Sequence, residues 1–157
     1  MLLLGRVALL MCAVCACCST ALARDIAIVV HKGNSTRSIP FATLVRMCKG
    51  LQRKWPDNRD LTVVMRQPAA PEMKLVLRKI FALTPEATNQ LITAANQTRR
   101  DHPAILLVDS DDVLIRAVET NPGAIGLVDV YSITGTINVV KVDGKSPLEP
   151  GYVLHGN

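Results

Sequence analysis

The sequence predicts an α/β fold, one three-layer unit with a mostly parallel sheet of about five strands. Three observations carry this. Ala104 to Val108 is an unbroken apolar run, short and β-branched enough for a strand buried on both faces. Asp109 to Gly123 then reads as a short helix, with Ser110 as cap, Asp111 and Asp112 at its positive N-terminus, and Asn121-Pro122-Gly123 as its stop. Ala124 to Val128 reads as a second buried strand, with Gly126 where a neighbour packs close to the backbone. Strand, helix and strand make a βαβ unit, which implies a parallel pair and a right-handed crossover.

Around this unit the other elements follow in order. Ile26 to Val30 is a first strand, and His31-Lys32-Gly33-Asn34-Ser35 a polar loop. Ser38 caps a helix that ends at Gly50, with Phe41, Leu44, Val45 and Cys48 as its apolar stripe. Cys48 on that stripe is a packing residue. Trp55, the only Trp, anchors a polar loop, and Leu61 to Met65 is another strand. Pro71 opens a helix whose stripe is Met73, Val76, Leu77, Ile80 and Phe81. A weaker, polar helix runs from Thr84 to about Thr98. Ile137 to Val142 is a last strand at an edge, and the tail to Asn157 has little to bury.

Residues 1–23 read as a secretory signal peptide: Arg6, an apolar run from Val7 to Val14, and Ala21-Leu22-Ala23 as the cleavage site. A variant is lipid attachment at Cys17 or Cys18, since Val14-Cys15-Ala16 loosely resembles a bacterial lipobox. Cleavage leaves residues 24–157 as a single domain in the periplasm or cell envelope. Four of the five cysteines depart with the leader, so no internal disulfide and no Cys/His metal set remains. The formal net charge of +5 draws small oxyanions and acidic patches. Export and an aromatic content of 3% exclude nucleic acid as a partner.

No catalytic set can be assembled, so the reading is a non-enzyme without cofactor. His31, His102 and His155 lie in loops or the tail, and Ser35, Thr36 and Ser38 are turn and cap residues. The stronger candidate chemistry is anion capture where a strand feeds a helix, because free backbone N–H groups and the helix dipole converge there. Residues 32–38, 66–72 and 109–112 form such junctions. The acidic residues of the third repel an anion, which makes that junction structural. In the second, Arg66 at the strand end can fork onto an oxyanion, or serve as an ordinary ion-paired Arg.

These stretches resemble the phosphate-binding proteins of bacterial ABC transporters, type II periplasmic binding proteins with two α/β lobes around a cleft. The likeness lies in Ile26 to Val30, the helix Ile39 to Gly50, the turn Lys54-Trp55-Pro56-Asp57, and the strand Leu61 to Arg66. It continues in Asn121 to Val128, close to a Pro-Gly-Ala-Ile-Gly-Tyr-Val signature, and in Val142-Asp143-Gly144. The resemblance covers one lobe and implies an exported solute-binding protein. Its partners would be phosphate or another small oxyanion, a transporter permease or other protein, or a second copy in a homodimer. The site would comprise Arg66, Gln67 and Ala70 with the amides of residues 67–72, and Lys32, Asn34 and Ser35 facing the same cleft. Where the family carries Ser-Gly-Thr after the strand-end Arg, this chain carries Ala70, Pro71 and Glu72. Two hydroxyls are lost and a carboxylate gained, so anion binding is expected to be weak or altered. The alternative is an envelope protein-interaction module that uses the lobe as a scaffold.

Overall fold

A computed structural model describes residues 24–99 and 101–156. The leader and lipid-attachment readings fall on residues 1–23, outside the described residues. The strands are β1 (Ile26–His31), β2 (Ser38–Ile39), β3 (Thr62–Arg66), β4 (Ile105–Val108), β5 (Ala124–Asp129) and β6 (Ile137–Val142). The α-helices are α1 (Phe41–Cys48), α2 (Lys74–Val76), α3 (Pro85–Gln97) and α4 (Asp111–Thr120). A 3-10 turn at Pro71–Met73 and a π turn at Leu77–Phe81 flank α2, so residues 71–81 wind as one helical segment. The chain is α/β, as the sequence predicts. Its sheet has six strands in the order β2-β6-β1-β5-β3-β4.

Three pairings are parallel and two antiparallel, and the antiparallel ones both involve β1. The crossover from β4 through α4 to β5 is present, but β4 and β5 are not neighbours. β3 lies between them, parallel to both. Its residues Thr62 to Met65 are buried, which suits a central strand, whereas β4 exposes Leu106. The expectation that Ile137 to Val142 forms an edge also fails. The two-residue strand β2 pairs with Lys141 and Val142 and takes that place.

Side chains alternate across the sheet and build two apolar layers. Ile26, Ile28, Val30, Val63, Met65, Ile125 and Leu127 face α1, the 71–81 segment and α3. Ala27, Val29, Val64, Ala124 and Val128 face Leu114, Ile115 and Val118 of α4. Gly126 lets α4 approach, since a Cβ there would stand 2.7 Å from Leu114 and 2.9 Å from Val118. On α4, Val113 is 42% exposed although it adjoins buried Leu114, and Ile115 is buried.

The tail is better packed than its composition suggests. Tyr152 and Leu154 are buried in the larger layer, and the Tyr152 hydroxyl donates to the Ile26 carbonyl at 2.9 Å. Asp25 holds the tail from the other side, accepting from the backbone N–H of Leu148 at 2.9 Å and of Gly156 at 3.1 Å. The start of α1 is likewise served from afar. Ser38 pairs in β2 rather than capping, and Asp143 accepts from the Phe41 N–H at 2.9 Å.

Burial raises the Cys48 thiol to about 12, and burial followed by the Asp25 charge raises the Tyr152 phenol. Both groups stay protonated in the fold after the unfolded chain has begun to lose those protons. Their stabilisation is therefore complete below the ordinary values of 9.0 and 10.0 and declines above them. Each group should steepen the loss by up to about 1.4 kcal/mol per pH unit. Urea unfolding across the alkaline range should show this decline, with a later onset in Cys48→Ala. An identical slope in the two proteins between pH 9 and 10 would contradict the assignment.

At the outer edge of β4, one side chain pairs with the backbone of Ile105. Asn96 of α3 accepts from the Ile105 N–H at 3.0 Å and donates to the Ile105 carbonyl at 2.9 Å, in place of a further strand. Asn96→Ala should cost about 1–3 kcal/mol, because a nearly fully buried residue then loses both backbone partners. Thermal unfolding reads the effect, and an unchanged midpoint would show that water replaces the amide.

Candidate functional site

β3 ends at Arg66, level with Val108 at the end of β4. β5 runs the same way, so Asp129 and the following turn Val130–Ser132 lie at this end of the sheet. β1 runs the opposite way and begins here, with Arg24 and Asp25. The N-terminus of α4 also opens here, capped by the Ser110 hydroxyl, which accepts from the Val113 N–H at 3.2 Å. This is the carboxyl end of the parallel strands, where open α/β sheets gather ligands.

Arg66 is turned toward carboxylates. Its Nη1 lies 3.3 Å from Asp111 Oδ1, and its Nη2 lies 3.9 Å from Glu72 Oε2. The Asp111 side chain is also fixed, because Oδ2 accepts from the Ser132 hydroxyl at 2.7 Å. Asp111 thus stands at the first turn of α4, where the helix dipole favours negative charge, and it meets a guanidinium there. Arg66 Nε is buried and has no hydrogen-bond partner among the described residues.

Gln67 Nε2 reaches Asp109 Oδ1 at 3.4 Å. Ala70 packs against the core, and its N–H donates to the Gln67 carbonyl at 2.8 Å. Pro68 and Pro71 have no N–H to give. The backbone of residues 67–72 therefore offers few free donors. Across the gap Arg24 pairs with Asp129 at 2.9 Å, and that hydrogen bond raises the Arg24 guanidinium further above its ordinary value. Two guanidinium groups share this end of the sheet with Glu72, Asp109, Asp111, Asp112 and Asp129.

Lys32, Asn34 and Ser35 are not part of this arrangement. β1 is antiparallel to β5, and Val29, Gly126 and Val64 stand level across the three strands. Arg66 is then level with Ala27, and Lys32 lies roughly 17 Å away along the strand direction, at the opposite end of the sheet. The Asn34 carbonyl oxygen of the side chain accepts from the Thr36 N–H at 2.9 Å, and Asn34 N–H donates to the His31 carbonyl at 2.8 Å. The segment is a turn closed on itself. Placing these residues in one cleft with Arg66 assumed a parallel β1, which no local pattern specifies. Conversely, Asp111 reads from the sequence as structural, and no local signal points to Ser132 or Arg24. Among the described residues, no three His, Cys, Asp or Glu side chains stand close enough to hold a metal ion. No helix among them is long and apolar enough to cross a membrane.

No protein-family profile matches the sequence, and no curated protein matches it. Solved structures do match the fold. An ABC-type phosphate transport receptor from Vibrio cholerae superposes with a TM-score of 0.69 at 17% identity, over 86% of this chain and 55% of its own. PstS from Borrelia burgdorferi gives 0.66 at 13% identity, over 87% and 56%. A putative phosphate ABC transporter substrate-binding protein from Clostridium perfringens, solved with bound phosphate, gives 0.64 at 18% identity, over 80% and 48%. The chain thus spans about half the length of the proteins it matches. Over that half, it has the fold of the phosphate-binding components of ABC transporters.

Proposed function

We propose that this chain is a non-catalytic solute-binding lobe that holds a small oxyanion weakly at the carboxyl end of β3, with Arg66 as the anchoring cation. The observation that carries the proposal is the Arg66–Asp111 pair at the N-terminus of α4. It provides a cation and a helix N-terminus together, with a resident carboxylate in contention for both. The fold supports a solute-binding role, because the proteins that share it are transport receptors and substrate-binding proteins, one of them with phosphate bound. Residues 1–23 would direct the chain to the periplasm, where a transporter permease would be its partner.

Weak binding follows from competition. An oxyanion must take over the Arg66 N–H groups from Asp111, and a charged hydrogen bond contributes roughly 1.5–3 kcal/mol. One such bond surrendered lowers affinity about 10- to 150-fold. Amide NMR titration with inorganic phosphate should give saturable shifts at residues 66–72 and 109–113 with a millimolar dissociation constant, abolished there by Arg66→Ala. Micromolar binding at these residues, or shifts there that are indifferent to Arg66→Ala, would contradict the proposal.

A further inference from the structure

At the other end of the sheet, where β3 and β5 begin, residues of the loop before β3 and of the loop before β4 line an open cavity of about 250 Å³. Arg53, Lys54 and Asp60 line it from one loop, and Arg99, Asp101 and His102 from the other. Lys54 and Asp60 satisfy each other, with Nζ 3.1 Å from Oδ1. Among the described residues, Arg53 and Arg99 form no ion pair. The Arg99 guanidinium is held in place by Nη1, which donates to the Leu61 carbonyl, while its Nη2 is buried without a partner among the described residues. Two guanidinium groups thus share one cavity, and that of Arg99 has donor capacity unmet. Burial, and then the nearby Arg53 charge, bring the proton affinity of Arg99 below its ordinary value.

We propose that this cavity is a second anion site, separate from Arg66, that takes the phosphate group of free inorganic phosphate or of a small phosphoester. Guanidinium forks suit a tetrahedral oxyanion, and a bound anion would offset the repulsion between Arg53 and Arg99. Arg99 would supply the fixed donor, and Arg53, exposed and free to move, would close on the ligand from outside. Asp60 would be kept from opposing it by its pairing with Lys54. The site does not depend on the Arg66 reading, since the two lie at opposite ends of β3.

Amide NMR of the whole protein tests this, with inorganic phosphate, glycerol phosphate and citrate as probes. Saturable shifts are expected at residues 53–61 and at Arg99, Asp101 and His102 with both phosphates. Arg53→Gln, an exposed change that leaves the Leu61 contact intact, should weaken them about tenfold or more, and Arg66→Ala should leave them unchanged. A tighter response to glycerol phosphate than to inorganic phosphate assigns the site to phosphoesters, and an equal response assigns it to the phosphate group alone. No shift at these amides at millimolar phosphate, no effect of Arg53→Gln, or citrate binding as well as either phosphate would overturn the proposal.

Discussion

Replacing Gly123 by Ala is expected to destabilise the protein by about 3 kcal/mol or more. A Cβ at this position would stand 2.0 Å from the Asp60 carbonyl oxygen, which belongs to backbone and cannot rotate aside. The strands on either side cannot yield either. The Gly123 carbonyl accepts from Trp55 Nε1 at 2.9 Å and from the Thr62 N–H at 3.2 Å, so it pins the Trp55 loop and the start of β3 together. Asn121 adds a further constraint, with its side-chain oxygen accepting from the Gly123 N–H at 3.0 Å. A shift large enough to admit a methyl group would break several of these bonds at once. Urea denaturation should therefore show a much lower midpoint with an unchanged slope. Gly135→Ala is the control: a Cβ there meets nothing within 4 Å, and stability should move by less than about 0.5 kcal/mol. A Gly123→Ala protein within 1 kcal/mol of the parent would refute the close approach.

The second large effect is a gain. Asp111→Asn should tighten phosphate binding about tenfold or more, because it removes the charge that contends for Arg66 while keeping the shape of the side chain. The amide oxygen or nitrogen can still meet the Ser132 hydroxyl, so the start of α4 should remain in place. Glu72 is the weaker competitor, at 3.9 Å and with a more exposed side chain than Asp111, and Glu72→Gln should have a smaller effect in the same direction. Far-ultraviolet circular dichroism should be unchanged in both variants, so that altered affinity is not read from altered fold.

The parts of the structure that could be read in advance are those settled within a few residues. Ser110 caps α4, and Leu114 and Val118 face the sheet, because capping and helical spacing act over one or two turns. Cys48 and the Met73 to Phe81 stripe are buried for the same reason. What could not be read depends on partners far along the chain. Whether β1 runs with or against β5 leaves no trace in the apolar run from Ile26 to Val30, since a strand buried on both faces looks the same in either direction. The antiparallel course of β1 puts Lys32, Asn34 and Ser35 at the end of the sheet away from Arg66. The insertion of β3 between β4 and β5, and the burial of Tyr152 and Leu154 beside β1, are long-range in the same sense.

The site shows a further reason. Asp111 lies 45 positions from Arg66, and its charge alone argues against an anion in its neighbourhood. The two statements are compatible only once the pair is seen in contact. The carboxylate that repels an external anion is the same one that neutralises the residue best suited to hold it. Arg66 was legible as the strand-end cation, and its partner was not.

The most direct test is a double-mutant cycle in phosphate affinity on Arg66 and Asp111, read from the amide shifts of residues 66–72 at one ionic strength. The account predicts that Asp111→Asn tightens binding and that this gain disappears entirely when Arg66→Ala is also present. A gain that persists without Arg66, or no gain from Asp111→Asn at all, would contradict it.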